Sequence, residues 1–333
     1  MTAAVLFAGG TGVVGREAVR SFRARHPHMP ILVGGRDLDK AEAVARETGA
    51  ARAVKIDIAK PRLGLTDAHA PCAIVMLAPD AGLHGLALAQ ELGIAYLSIG
   101  NWLTEVGAEM AHFVHRPAAS PIVLASHWHG GPAVFLARRA VRGLERVRAI
   151  AVGALVDERD PTGPAAIADM EHGSAQQSGA LAFVDGRRTW LTGSQARRTI
   201  VALDGRELEA DAFAPYDIVS LQAATGAQQV RFDLAMAPSS RRLRGAGIAT
   251  EILLEIEGER GGTPLTRRAS IEFAPGQSAL TGLSTALTLS TVLGLEQRPA
   301  AGPGLYFPEL LMEADWFLDQ LVQAGAAVTI DAG

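Results

Sequence analysis

"AVLFAGGTGVVGREAV", residues 3–18, runs from a short apolar stretch through a knot of glycines into helical spacing. A strand that turns sharply into a helix in this way is how a dinucleotide-binding βαβ unit begins. The glycines fit two registers. Gly10, Gly12 and Gly15 spell G-x-G-x-x-G, while Gly9, Gly12 and Gly15 spell G-x-x-G-x-x-G. In either register the first glycine permits a tight turn, the second a close backbone approach to a diphosphate, and the third close packing of helix on strand. The diphosphate then rests on the helix N-terminus, where free N–H groups and the dipole favour negative charge. Gly10, Thr11, Gly12, Val13, Val14 and Gly15 are the predicted diphosphate contacts.

The pattern continues outward. Apolar runs at 30–35, 51–58, 72–79, 94–100 and 121–126 alternate with helical stretches at 39–49 and 83–93. Strands separated by helices imply a parallel sheet with helices on both faces, an α/β doubly wound fold. The end of the second strand chooses the nucleotide. An acid there would read the ribose hydroxyls of NAD. This chain has "VGGRDLDKA" at 33–41, with Gly35 in the acid's place and Arg36 next. A guanidinium grips a phosphate through two hydrogen bonds and stacks on adenine. Arg36, with Lys40 as a second cation, therefore predicts NADP rather than NAD, against the plainer reading of a solvated arginine beside a helix-capping Asp37. Asp57, at the end of the third strand, either meets adenine or forms a turn. Ala78 and Pro79 close the fourth strand and put backbone groups near the cofactor.

Reactive groups narrow the chemistry. The G-x-x-G-x-x-G register belongs to short-chain dehydrogenases, whose tyrosine needs a lysine to lower its pKa. Only Tyr96, Tyr216 and Tyr306 are present, and no lysine follows residue 60, so that mechanism is excluded. Cys72 stands at the start of its strand, away from the ligand-binding strand ends, and reads as a small buried hydrophobe. As the one cysteine it can form no intrachain disulfide, which predicts a cytoplasmic protein. A net charge of −4 in 333 residues gives no basic field for nucleic acid. The apolar run 278–295 is rich in Ser, Thr and Gly and reads as a buried helix, with no membrane span.

After residue 126 the pattern changes to strands and hairpins, at 147–157, 180–193, 228–237 and 250–274, with helices at 279–294 and 308–325. These predict a mixed α/β second domain with a largely antiparallel sheet.

The whole chain resembles the saccharopine dehydrogenase-like oxidoreductases. The resemblance rests on "GGTGVVG" (9–15), "GRDLDKAEAVA" (35–45), "VMLAPDAGLHGLALAQELGIAYLSIG" (75–100), the middle stretch 188–222 and "GLYFPELLMEADWFLDQLVQAGAAV" (304–328), in that order. It implies an N-terminal Rossmann domain, residues 1–128, completed by 296–333, and a substrate and dimerisation domain, 129–295. It further implies a homodimer, a small-molecule substrate and hydride transfer between NADP(H) and a C=N, C=O or activated C=C bond. Two motifs depart from the family. Ser98 and Asn101 stand in "YLSIGNW" where an acidic pair is usual, and Ala133 replaces a glycine in "HWHGGPAV". A specific amino-acid substrate is therefore not carried over.

The candidate catalytic groups lie past the fifth and sixth strands: Asn101, His127 and His129. Histidine titrates near neutral pH and can supply the proton that accompanies a hydride. His127 and His129 lack the further Cys and His ligands of a metal site, so no metal is predicted. The polar stretch His172, Ser174, Gln176 and Gln177 reads as an amphipathic helix, Arg187 and Arg188 as a hairpin end, and Pro308–Glu309 as a helix start. The alternative function is a non-catalytic NADP-binding sensor or assembly protein that keeps the turn and has lost the chemistry.

Overall fold

The computed structural model describes residues 4–49, 51–66, 69–100, 102–103, 105–163, 179–296 and 298–331. These fall into two compact units. The first comprises residues of 1–130, 162–169 and 281–312, and the second those of 131–161, 170–280 and 313–333.

The first unit is a seven-stranded parallel sheet. Its strands are β1 (Ala4–Ala8), β2 (Ile31–Gly35), β3 (Ala51–Lys55), β4 (Pro71–Met76), β5 (Ala95–Ser98), β6 (Pro121–Leu124) and β15 (Gly304–Tyr306), in the order β15-β6-β5-β4-β1-β2-β3. Helices α1 (Val13–Arg25), α2 (Leu38–Thr48), α3 (His84–Leu92) and α4 (Val106–His115) are the crossovers. All five residues of β1 are buried because helices cover both faces, which is why it reads as an unbroken apolar run. Val5, Phe7, Val33, Val75 and Leu97 point to one face and pack with Ala18, Val19 and Phe22 of α1 and Val44 of α2.

Helix α8 (Gln277–Val292) adds Ala286, Leu289 and Val292 to that core. Four of its hydroxyls bond back within the helix, those of Thr285, Thr288, Ser290 and Thr291: Thr288 Oγ1 donates to the Ser284 carbonyl at 2.9 Å, and Ser290 Oγ to that of Ala286 at 2.7 Å. This explains a helix that is buried yet rich in Ser and Thr. No helix among the described residues is long and apolar enough to cross a membrane.

The second unit is built on a nine-stranded mixed sheet. Its path is β10 (Arg197–Val201), β11 (Glu207–Ala212), β12 (Gln229–Met236), β7 (Arg146–Val156), β13 (Thr250–Arg260), β14 (Thr263–Phe273) and β16 (Ala326–Ile330). The hairpin of β8 (Ala180–Val184) and β9 (Arg187–Leu191) joins at β12. β12 and β7 run parallel, and the other pairs are antiparallel. Helices α5 (Pro132–Ala140), α6 (Asp217–Thr225), α7 (Ser240–Leu243) and α10 (Ala314–Gln323) belong to this unit, and α9 (Pro308–Leu311) to the first; short 3-10 turns at Pro61–Gly64, Trp128–Gly130 and Gly193–Ala196 complete the described elements.

Buried carboxylates fasten the loops of this unit. At the end of β7, Asp157 accepts from Ser239 N at 2.8 Å, Ser239 Oγ at 2.7 Å and Arg159 N at 3.0 Å, and pairs with Arg242 at 3.0 Å. Burial alone would push its pKa up, but the Ser239 and Arg159 hydrogen bonds and the Arg242 charge outweigh that and hold it below the usual value. Glu251 accepts from Ser240 N at 2.6 Å and Leu203 N at 3.1 Å.

The unit boundaries differ from those read in the sequence. Residues 296–312 contribute β15, which pairs with β6, but 313–333 cluster with the second unit. There β16 pairs with β14, and Phe317 of α10 stacks on Phe135 of α5 with ring centroids 4.0 Å apart. Residues 281–295, expected in the second domain, cluster with the first because α8 supplies part of its core. The helix expected over 308–325 is broken into α9 and α10.

Phe317 has no exposed surface. Phe317→Ala is expected to destabilise the protein by about 3–5 kcal/mol, as emptying a buried aromatic site does. Urea denaturation measures this, and a loss below about 1 kcal/mol would show that α10 is not part of the core.

Candidate functional site

The strands of the first unit end along one edge, and backbone hydrogen bonds hold their loops there. Gly9 N donates to the Gly34 carbonyl, Leu77 N to that of Ala8, Ile99 N to that of Met76, and Ala125 N to that of Ser98. The strand order reverses between β1 and β4. α1 packs on the Val5–Phe7 face, whereas Gly85 of α3 lies against Met76 on the other. A parallel sheet opens its ligand crevice at such a reversal, beyond the carboxyl ends of the strands.

The glycine turn lies in this crevice. Gly9 takes φ +90°, a conformation that strains any residue with a side chain. A Cβ on Gly15 would stand 2.3 Å from the Gly9 carbonyl oxygen, so α1 can approach β1 only with glycine there. The tight turn is thus made by Gly9, which was not among the predicted contacts; Gly10 instead packs under Val33. Gly12 caps α1, with no side-chain cap among the described residues and no acid in the first turn. Arg16 N is the first to bond back into the helix, to the Gly12 carbonyl, so the N–H groups of Val13, Val14 and Gly15 precede the intrahelical ladder.

At the end of β2, Gly35 is buried and Arg36 is exposed, with no ion pair among the described residues. Asp37 caps α2, its Oδ1 accepting from Lys40 N at 3.2 Å, and Lys40 Nζ stands 3.7 Å from the same carboxylate. Asp57 accepts from Ala59 N at 3.1 Å and lies 3.6 Å from Lys60 Nζ, which is the turn-forming alternative. Ala78 and Pro79 abut Gly100, whose Cβ position would be 2.9 Å from their backbone.

Past β5 and β6 the polar groups are buried. Ser98 Oγ donates to Glu109 Oε1 at 2.8 Å, so α4 brings a carboxylate to the strand end where the family resemblance expected one in the strand itself. Tyr96 donates to Asp80 Oδ2 at 3.1 Å, and Asp80 also accepts from Gly85 N and Leu86 N at the start of α3. Burial, with the Asp80 and Glu109 charges, drives the Tyr96 phenol well above its usual pKa, so it stays protonated near neutral pH. Burial likewise raises the Cys72 thiol.

His127 and His129 occupy the strained turn 126–131. His129 has φ +53°, and its Nδ1 is 3.1 Å from Thr281 Oγ1. Its ring lies 4.5 Å from that of Trp128. Burial lowers its pKa to about 3, so it stays neutral near pH 7 and cannot supply an imidazolium proton. His127 Nε2 lies 3.7 Å from Glu309 Oε2, and its ring meets the edge of Phe307 at 5.3 Å. Glu309, read in the sequence as a helix start, is buried beside it. A histidine beside a buried carboxylate can hold and move a proton. Asn101, and the stretch containing His172, Ser174, Gln176 and Gln177, lie outside the described residues. Arg187 and Arg188 open β9 on an exposed surface. In the second unit a cavity of about 530 Å³ lies on the sheet between Gly153, Ile200, Leu253 and Ser270.

No protein-family model matches the sequence, and no curated protein matches it. Solved structures do. Apo histidine-tagged saccharopine dehydrogenase (L-Glu forming) from Saccharomyces cerevisiae aligns over 99% of this chain and 99% of its own, with a TM-score of 0.69 and 12% identity. A myo-inositol dehydrogenase from Lactobacillus casei, in complex with NAD(H) and myo-inositol, aligns over 100% of this chain and 98% of its own, with a TM-score of 0.49 and 11% identity. The fold is that of saccharopine dehydrogenase, as the sequence resemblance implied.

The state of His129 has a measurable consequence. Its folded pKa of about 3 lies below the unfolded value of about 6.5, so between those values only the unfolded chain takes up the proton. Its contribution is complete above about pH 6.5 and is lost as pH falls, by up to about 1.4 kcal/mol per pH unit. His129→Asn keeps a residue that tolerates the left-handed backbone. Urea denaturation at pH 4.5 and 7.5 is expected to show a weaker pH dependence for the variant; an unchanged dependence would mean that His129 is not held neutral.

Proposed function

We propose that the protein is an NADP(H)-dependent oxidoreductase acting on a small molecule. One observation carries the reading: an uncapped α1 N-terminus behind the 9–15 turn lies beside a strand end that holds Gly35 and an exposed Arg36. The nucleotide, when bound, supplies or accepts a hydride. Val13, Val14 and Gly15 would donate backbone N–H groups to the diphosphate, with Gly10, Thr11 and Gly12 lining the turn. Arg36 would take the 2′-phosphate, with Lys40 adding charge. Ala78 and Pro79 would present backbone near the reacting end. Asp57 is engaged in its turn and contributes shape rather than a hydrogen bond.

The substrate is a C=N, C=O or activated C=C compound, or its reduced form in the reverse direction. On reduction, carbon receives the hydride, and His127 gives up the proton that completes the product. Glu309, 3.7 Å from Nε2, orients the imidazole. His129 shapes the turn that presents His127, and Asn101 is a further polar candidate read from the sequence. The single cysteine and the family resemblance support a cytoplasmic homodimer.

A second reading, a non-catalytic NADP(H) sensor, is favoured by the His127 side chain, which has no exposed surface. It differs in its response to His127→Ala: an enzyme loses turnover and keeps nucleotide binding, whereas a sensor has no turnover to lose.

Arg36→Ala tests the nucleotide assignment. Loss of a charge-assisted phosphate contact of about 1.5–3 kcal/mol weakens NADPH binding about 10- to 100-fold. NADH binding is expected to stay within about twofold, since no 2′-phosphate is present. Calorimetric titration reads both. Equal weakening of the two nucleotides would contradict the assignment.

A further inference from the structure

The end of β2 is closed to side chains by its neighbour in the glycine turn. A Cβ on Gly35 would lie 2.8 Å from Thr11 Cγ2 and 3.2 Å from Thr11 Oγ1. The next nearest atom, the Asp37 carbonyl oxygen, is at 3.5 Å, an ordinary contact distance. The crowding at position 35 therefore comes from the Thr11 side chain alone. Both of its branches face position 35, and a β-branched residue has few χ1 choices by which to move aside. Both residues are also tied in place. The Gly35 carbonyl accepts from Ile56 N at 3.0 Å, and the turn carrying Thr11 is bonded to β2 through Gly9 N and Gly10 N on the Gly34 carbonyl.

We infer that Thr11 selects the nucleotide, by filling the space in which a ribose-binding carboxylate at position 35 would stand. The inference rests on the nucleotide reading above. A carboxylate at the end of β2 is what favours NAD over NADP, by accepting from the ribose hydroxyls and repelling a 2′-phosphate. The nearest acid in sequence, Asp37, is turned into α2 as its cap. Thr11 thus keeps the strand end uncharged and leaves Arg36 as the charged group beside it. Positions 11 and 35, which are 24 residues apart in the chain, form one specificity element.

Two arms test this. The first needs no nucleotide. Gly35→Ala is expected to lower the melting temperature by about 5 °C, as overpacking does. Thr11→Ala removes both crowding atoms, so in the double variant Gly35→Ala should cost little beyond Thr11→Ala alone. The second arm measures NADPH and NADH binding by calorimetry. Gly35→Asp alone is expected to bind NADH no better than the wild-type chain. Thr11→Ala with Gly35→Asp is expected to bind NADH about tenfold tighter than Gly35→Asp alone, a gain of one hydrogen-bonded carboxylate.

Equal effects of Gly35→Ala in the two backgrounds, or equal NADH affinity of the single and double Asp variants, would overturn the inference. Failure of the wild-type chain to bind NADPH would instead overturn the nucleotide reading, and the melting arm would still decide whether Thr11 closes position 35.

Discussion

The contact on which the first unit depends is the backbone of α1 lying directly on the end of β1. Gly15 and Gly9 meet with no room for a Cβ between them. That closeness aims the first turn of α1 across the sheet edge and brings its free N–H groups to the point where β1 and β4 part. A larger residue at 15 would lift the helix and turn those groups away. The electrostatic character of the crevice thus follows from a steric fact, and the absence of an acid in the first turn leaves its positive end unopposed.

The same economy governs the buried charges. Asp80 meets the start of α3, Asp157 meets Ser239 and Arg242, and Glu251 meets Ser240 and Leu203. Each carboxylate sits where backbone N–H groups would otherwise lack partners, so burial of the charge and satisfaction of the donors offset each other. His127 and Glu309 form a pair of another kind, two titratable side chains on adjacent parallel strand ends with an aromatic ring beside them.

Much of this was legible in the sequence. β1, β2, β4, β5 and β6 showed as apolar runs because helices bury both faces, β3 showed more weakly as a half-exposed edge strand, and the 180–193 and 250–274 hairpins showed through their turn residues. β15 did not, since three residues carry no period. The closing strand "AAVTI" has no marker that says which sheet it joins; its place beside β14 is set by α10 packing on α5. Glu109 was missed, and Glu309 was read as a helix start, for a related reason. An acid in a helical stretch reads as solvated unless its partner is known, and Ser98 and His127 are brought to them only by the fold. Gly35 was noticed for the acid it lacks, but the cause of that lack, the Thr11 side chain, lies in the first turn and is visible only in three dimensions.

On the function proposed above, this edge holds a dinucleotide by its phosphates, with the adenosine end directed to Arg36. A crystal structure of the protein with NADP⁺ tests it most directly. The diphosphate is expected within hydrogen-bond distance of the Val13–Gly15 N–H groups, and the 2′-phosphate against the Arg36 guanidinium. A nucleotide bound elsewhere, or one bound here with its 2′-phosphate turned away from Arg36 into solvent, would contradict it.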